Sequence, residues 1–361
     1  MKVKPKLKDA EAYDLKELLE VKGARGAINL YLNENFVVNN EEVRRIVEEA
    51  VKGVDFRSYP EPHGAEAAEA IAEFYGLSED EVFVGNGSDD ALDRLLRLFV
   101  AEGDNVVINE PTFFMYSFFT RLYGGEKKEV LLRRDFKLDV DGVLDCCDEK
   151  TSMVIICSPN NPTGNQFDRA DIEEILSGFE GLVVVDEAYA DFGRFSLLGL
   201  VKEYENLVVL RSFSKAFGLA SVRAGFAAAN EELVGWLRKS AGPFPVGGLT
   251  QKIVKAALEN WRAFEKAIGE VVKERERLLR ELESIDGVKP FPSDANFILF
   301  KVVKEGASAG FVHEALKEAG VYVKNKSEAP LLENCLRVTV GDANMNENFL
   351  LKLKEILEGV G

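Results

Sequence analysis

The sequence predicts an α/β protein, with a mainly parallel central sheet flanked by helices and a smaller α+β unit beside it. Two observations predict the sheet. Short valine-rich runs alternate with amphipathic stretches through the middle of the chain. Those runs are almost unbroken in their apolar character, as in strands buried on both faces, which parallel sheets produce. A third observation predicts the smaller unit. Beyond a Pro/Gly-rich stretch, AGPFPVGG (241–248), the chain turns to charged amphipathic segments separated by a few short apolar runs.

In chain order, EVFVGNGS reads as a strand entering a glycine turn. DDALDRLLRLFVAEG follows, with Ala91, Leu92, Leu95, Leu96 and Phe99 at helical spacing. NVVINEP, TSMVIICSPNNPTG, LVVVDEAY, NLVVLRSFSK and RAGFAAA are the further strands, and RADIEEILSGF is a crossover helix between two of them. After 248 one long helix is expected, over roughly 251–285. NFILFKV, the helical AGFVHEALKEAG, VYVKN, CLRVTVG and a last helix, ENFLLKLKEILEG, make the smaller unit. The expected division is a large domain over 33–245 and a small domain from 1–32 and 246–361.

Composition excludes several classes. The chain has 361 residues, 46% of them hydrophobic, which is enough for a large core. A formal charge of −17 repels phosphate backbones, so no nucleic-acid partner is expected. The start lacks an apolar signal-peptide region, and the apolar runs are too short to span a membrane, so a cytoplasmic protein is expected. Four cysteines, Cys146, Cys147, Cys157 and Cys335, show no metal or disulfide spacing. With only two histidines, His63 and His313, no metal site and no histidine-based triad is expected.

Three apolar runs end alike, in a burst of polar residues. MVIIC ends in Ser158 to Gly164, LVVV in Asp186 to Tyr189, and LVVL in Arg211 to Lys215. Ligands of open parallel sheets bind beyond the carboxyl ends of the strands. Adjacent parallel strands would therefore bring an amide, a carboxylate, a phenol and an amine to one edge. Singly, each has an ordinary reading: Asn-Pro-Thr-Gly as a turn, Asp186 as a helix cap, Lys215 as a surface lysine.

Together they match the needs of pyridoxal 5′-phosphate. That cofactor needs a desolvated lysine whose free amine forms a Schiff base, which Lys215 offers. It needs a carboxylate against the pyridine nitrogen, which Asp186 offers, and donors to the ring oxygen, here Asn161 and Tyr189. Its phosphate needs a cup. Gly87, Ser88 and the N–H of Asp89 stand at a helix start, and Ser212, Ser214 and Arg223 supply hydroxyls and charge.

SPNNPTG, VVVDEAY and SFSKAFGLASVRAGF, in this order and spacing, resemble the fold-type I pyridoxal-phosphate aminotransferases, most closely the histidinol-phosphate aminotransferase family. LNEN (Leu32 to Asn35), YPEP (Tyr59 to Pro62), GNGSDDAL, PTFFMY, ANF (Ala295 to Phe297) and CLRVTVG extend the resemblance over nearly the whole chain. It implies transamination of L-histidinol phosphate with 2-oxoglutarate, with Lys215 as the catalytic base and acid. It implies that Phe113 stacks on the cofactor ring, that Arg337 holds the substrate carboxylate, and that Lys324, Asn35 and Asn296 also meet substrate. It implies a homodimer in which Tyr59 reaches the neighbouring subunit's cofactor phosphate.

The chain departs from the family pattern around the substrate. Phe113 stands where tyrosine is usual, Lys324 where arginine is usual, PFPVGGLTQ replaces an asparagine-containing stretch, and LNENF lacks a following proline. Readings close to the first are an aromatic amino acid aminotransferase, which Phe113, Phe114, Phe118 and Phe119 suit, or a threonine-phosphate decarboxylase. A reading of another class is a non-catalytic ligand sensor on the same fold, against which the intact Lys215, Asp186, Tyr189, Asn161 and Arg223 stand.

Overall fold

The computed structural model describes residues 19–21 and 26–360. Its strands, in chain order, are β1 (Ile28–Asn29), β2 (Val82–Gly85), β3 (Asn105–Glu110), β4 (Glu126–Leu131), β5 (Thr151–Cys157), β6 (Leu182–Asp186), β7 (Leu207–Ser212) and β8 (Gly225–Ala228), then β9 (Val288–Pro290), β10 (Phe297–Val302), β11 (Val321–Tyr322), β12 (Lys324–Asn325) and β13 (Cys335–Thr339).

The central sheet has seven strands in the order β2-β8-β7-β6-β5-β3-β4. The five from β7 to β4 run parallel, while β8 pairs antiparallel with both β7 and β2. The unbroken apolar runs are explained by burial on both faces. Val154, Ile156, Val183, Val185 and Val209 enter one core, and Met153, Ile155, Val184, Val208 and Leu210 enter the other. The helix Arg169–Gly178 is the expected crossover between β5 and β6. Edge strand β4, with the sequence EKKEVL, is mostly solvent-facing, and lysines and glutamates on an edge discourage pairing with another chain.

The second sheet is antiparallel, in the order β12-β13-β10-β9, and β1 and β11 pair separately in parallel. The helices Ala309–Glu318 and Ala343–Glu358, capped by the side chains of Ser308 and Asp342, pack against each other beside it. Among the described residues the first strand, β1, pairs only with β11. Residues 1–18 and 22–25 lie outside the described residues.

One expectation is corrected. The single helix over 251–285 is two helices, Gly248–Glu259 and Trp261–Glu283. They break at Asn260, whose backbone (φ −103°, ψ 26°) leaves the helical region while its Nδ2 donates to the Ala256 carbonyl at 2.8 Å. The first of the pair packs on the helices Asn40–Lys52 and Ala65–Tyr75. Among the described residues no helix is long and apolar enough to cross a membrane.

Candidate active site

Because β5, β6 and β7 are parallel neighbours, the polar residues that follow them meet at one edge. Asp186, the last residue of β6, lies in register with Cys157 of β5 and Leu210 of β7. Lys215 follows the end of β7 in a turn. Its Nζ donates to the Leu32 carbonyl at 2.9 Å and lies 5.8 Å from the centre of the Tyr189 ring. Burial pushes the amine down to about 8, and the cations Arg337 and Arg223 push the same way, against Glu34 and Asp89. A lysine held there keeps far more nucleophilic free amine near neutral pH than an ordinary lysine does, while the protonated form still predominates.

Asp186 is buried, and burial pushes its carboxyl up to about 6. Two donors oppose that shift. The Tyr116 hydroxyl donates to Oδ2 at 2.8 Å, and the Ala188 N–H donates to Oδ1 at 3.0 Å. A cation brought against such a carboxylate holds it in the charged form. Phe113 lies beside this pair, its ring edge-on to Tyr116 at 5.6 Å.

The three segments expected to form the phosphate cup come together. The helix Ser88–Phe99 starts after Gly87 with no side-chain cap, so its first N–H groups and dipole are left for another acceptor. Gly87 sits at φ +91°, and a Cβ there would lie 2.7 Å from Arg223 Nη2. Gly225 permits a second close approach, since a Cβ there would lie 2.3 Å from the Ser88 nitrogen. Arg223 donates through Nη1 to Ser214 Oγ at 3.3 Å, and its Nη2 is 3.9 Å from Asp89 Oδ2. Ser212 Oγ accepts the Ser214 N–H at 3.2 Å. The Arg223 side chain remains 46% exposed, so a ligand can reach it.

The second sheet delivers Arg337 to the same edge. Its Nη1 donates to Asn161 Oδ1 at 2.6 Å and its Nη2 to the Tyr31 carbonyl at 2.7 Å. Lys324 is the register partner of Arg337, and its Nζ bonds the Tyr31 hydroxyl and lies over the Tyr31 ring. Asn33 donates to the Tyr189 hydroxyl at 3.1 Å and accepts from Asn296 Nδ2 at 3.0 Å. Asn35 braces the lysine turn, with its Nδ2 donating to the Ala216 carbonyl at 2.9 Å.

The residues expected from the sequence fall into linked groups: Asp186 and Phe113 through Tyr116, Arg337 with Asn161 and Lys324 through Tyr31, Tyr189 and Asn296 through Asn33, and Arg223 with Ser214 and Asp89. Tyr59 stands apart. It is 82% exposed, with its ring stacked 4.6 Å from that of Phe244. The residues that join these groups, Tyr116, Asn33 and Tyr31, carry no role that the sequence pattern shows. Tyr116 lies three residues after Phe113, and its N–H donates to the Phe113 carbonyl at 3.3 Å, a turn that leads into the helix Met115–Tyr123.

The donor set fits pyridoxal 5′-phosphate. The uncapped helix start, with Arg223 packed where a Cβ at Gly87 would go, suits a phosphate. The buried Asp186, charged only at a cost, suits a protonated ring nitrogen. Lys215, with its lowered pKa, suits the aldehyde.

A model of the family described as aminotransferase class I and II matches residues 25–353. The chain is 43% identical over 332 residues to the histidinol-phosphate aminotransferase of Thermococcus gammatolerans, spanning 92% of each protein. It is 37% identical over 318 residues to that of Thermoanaerobacter pseudethanolicus, spanning 88% of this chain and 89% of the relative. Among solved structures, histidinol-phosphate aminotransferase from Sinorhizobium meliloti in complex with pyridoxal-5'-phosphate matches with a TM-score of 0.90 at 22% identity, over 100% of this chain and 98% of that one. L-threonine-O-3-phosphate decarboxylase from Porphyromonas gingivalis matches with a TM-score of 0.79 at 23% identity, over 91% and 99%. These structural matches establish the fold. Two different reactions share it, so the fold does not choose between them.

Proposed function

The chain belongs to the class I and II aminotransferases, and from that membership we propose that it transfers the amino group of L-histidinol phosphate to 2-oxoglutarate at the site described. The observation that carries the substrate is the pairing of Lys324 with Arg337. Two cations in register on adjacent strands suit the phosphate of one substrate and the extra carboxylate of the other. Curated relatives named for this activity, at up to 44% identity, support the reading.

When bound, pyridoxal 5′-phosphate supplies the electron sink that makes the substrate α-proton acidic. The chain does the rest. Arg223, Ser214 and the helix start at Ser88 would hold the phosphate, and Asp186 would face the ring nitrogen. Asn161, held by Arg337, and Tyr189, held by Asn33, would meet the ring oxygen, and Phe113, set edge-on to Tyr116, would cover the ring face. Lys215 Nζ, with its lowered pKa, would take the proton from the substrate α-carbon and hold it for return. Arg337 and Lys324 orient the anionic ends of the two substrates in turn, with Asn33, Asn35 and Asn296 bracing the wall around them.

A homodimer belongs to this reading. Tyr59 and Phe244 form an exposed aromatic pair, and a second copy would cover them while placing Tyr59 at the neighbouring phosphate. Four free thiols suit a reducing cytoplasm. The test is a panel of half-reactions, in which holoprotein is mixed with histidinol phosphate, phenylalanine, tyrosine, phosphothreonine or glutamate and the loss of the lysine-bound cofactor absorbance is followed. Fast conversion by histidinol phosphate and glutamate is expected. Fast conversion by phenylalanine alone, or release of carbon dioxide from phosphothreonine, overturns the substrate.

A further inference from the structure

Asp186 has two oxygens and three claims on them. The Ala188 N–H takes Oδ1 at 3.0 Å and the Tyr116 hydroxyl takes Oδ2 at 2.8 Å. The remaining lone pairs are what Asp186 can present to a ring nitrogen. Tyr116 is fully buried and Asp186 nearly so, so water does not compete for this bond. A hydrogen bond in such a setting is stronger than at a surface, and its loss leaves the carboxylate under-satisfied.

Tyr116 also touches the other side of the proposed cofactor site. Its ring meets Phe113 edge-on, 5.6 Å between centres at 85°. One side chain therefore fixes both the carboxylate expected at the ring nitrogen and the aromatic expected on the ring face. Its place is the first turn of the helix Met115–Tyr123, where the hydroxyl of Thr120 donates to the Tyr116 carbonyl at 2.7 Å and locks the turn.

We propose that Tyr116 is a positioning residue of the reaction: by donating its hydroxyl to Asp186 Oδ2 it weakens that carboxylate as a base and keeps the shared proton on the cofactor's ring nitrogen. The surroundings support a neutral donor in this role. Burial and the nearby Asp186 charge push the Tyr116 phenol well above its ordinary value, so it stays protonated. Cys157, next to both, is pushed up to about 12 and also stays neutral. The charges that act on Asp186 from further off, Asp89 and Glu187, are both carboxylates and make it more basic. Tyr116 and the Ala188 N–H are the groups that oppose them.

The inference rests on Asp186 facing the ring nitrogen, and the test separates the two ideas. Holoenzymes carrying Tyr116→Phe and Asp186→Asn are compared with the parent by the pH midpoint of the bound cofactor's absorbance change and by kcat and KM. Tyr116→Phe keeps the ring and removes one hydrogen bond. It is expected to lower kcat about tenfold with KM within about twofold, the scale of a hydrogen bond to a charged group. It is expected to move the absorbance midpoint upward, because a ring nitrogen that loses its proton withdraws less charge from the lysine end. A control, Phe119→Leu, loosens the same helix and core cluster without touching the hydrogen bond, and is expected to lower thermal stability while leaving the midpoint in place. If Asp186→Asn shifts the midpoint and Tyr116→Phe does not, or if Phe119→Leu shifts it equally, the role of Tyr116 is overturned. If Asp186→Asn itself shifts neither midpoint nor kcat, the reading of the site fails instead.

Discussion

Lys324 and Arg337 face each other across β12 and β13, and Tyr31 touches both, through its hydroxyl and ring to the lysine and through its carbonyl to the arginine. The three form one unit, in which strand pairing sets the two cations side by side and Tyr31 is bonded to each. A phosphate gripped by Lys324 is gripped by a point charge; an arginine there would offer a planar fork.

Replacing Lys324 with alanine is expected to raise KM for histidinol phosphate about tenfold or more, since hydrogen bonds to charged groups contribute about 1.5–3 kcal/mol. The half-reaction with phenylalanine, which has no second anion, should change by less than about threefold. Steady-state and half-reaction rates for the two donors check this. An equal loss for both would move Lys324 out of the phosphate site.

Lys215 gives a prediction about pH. Its amine sits at about 8 rather than 10.5 before cofactor binds. Below that pH the amine is mostly protonated and cannot attack an aldehyde; above it the free amine dominates. The rate at which cofactor-free protein captures pyridoxal 5′-phosphate covalently should therefore rise with pH and level off above about 8. Stopped-flow absorbance between pH 6 and 9.5 measures it. Lys215→Ala should retain the fold, bind the cofactor without the lysine linkage, and lose turnover by several orders of magnitude. A capture rate flat across this range would mean that the amine titrates elsewhere.

The large sheet was legible because its strands are buried on both faces and polar residues, Asp186 and Lys215 among them, stand at or after their carboxyl ends. What was not legible depends on contacts far apart in sequence. Tyr116 meets Asp186 across 70 residues and Tyr31 meets Arg337 across 306. No spacing rule reaches so far. The break at Asn260 was hidden for the opposite reason: the apolar period runs on through Ala257, Leu258, Trp261 and Phe264, so the pattern looks continuous where the backbone is not. Edge strand β4 escaped because EKKEVL has too few apolar residues to show a period.

Gly87 tests the phosphate cup without touching a charge. Alanine there would be strained at φ +91° and would place its Cβ 2.7 Å from Arg223 Nη2. Pushing the guanidinium away from the helix start separates the two halves of the cup. Gly87→Ala is expected to weaken cofactor binding by about tenfold or more, at the scale of one charge-assisted hydrogen bond. Fluorescence titration of cofactor-free protein gives the number. Unchanged affinity would show that the phosphate binds elsewhere.

Asp186 should make cofactor-free and cofactor-loaded protein respond in opposite directions. In the cofactor-free fold its carboxyl is raised from 3.8 to about 6. A raised carboxyl favours folding while it is protonated, and that contribution disappears as pH climbs through about 6. Two pKa units correspond to at most about 3 kcal/mol of penalty at neutral pH. Asn at this position carries no charge and can still accept the Tyr116 hydroxyl. Without cofactor, Asp186→Asn should therefore gain stability over the parent as pH rises from 4 to 7, reaching about 1 kcal/mol after the loss of one acceptor is counted. With cofactor bound the order should reverse, because the ring nitrogen supplies the cation that the buried carboxylate lacks, and an amide cannot match it. Thermal unfolding of both proteins, with and without pyridoxal 5′-phosphate across that pH range, reads the crossing. Parallel curves in all conditions would mean that the ring nitrogen is not what Asp186 is buried to hold.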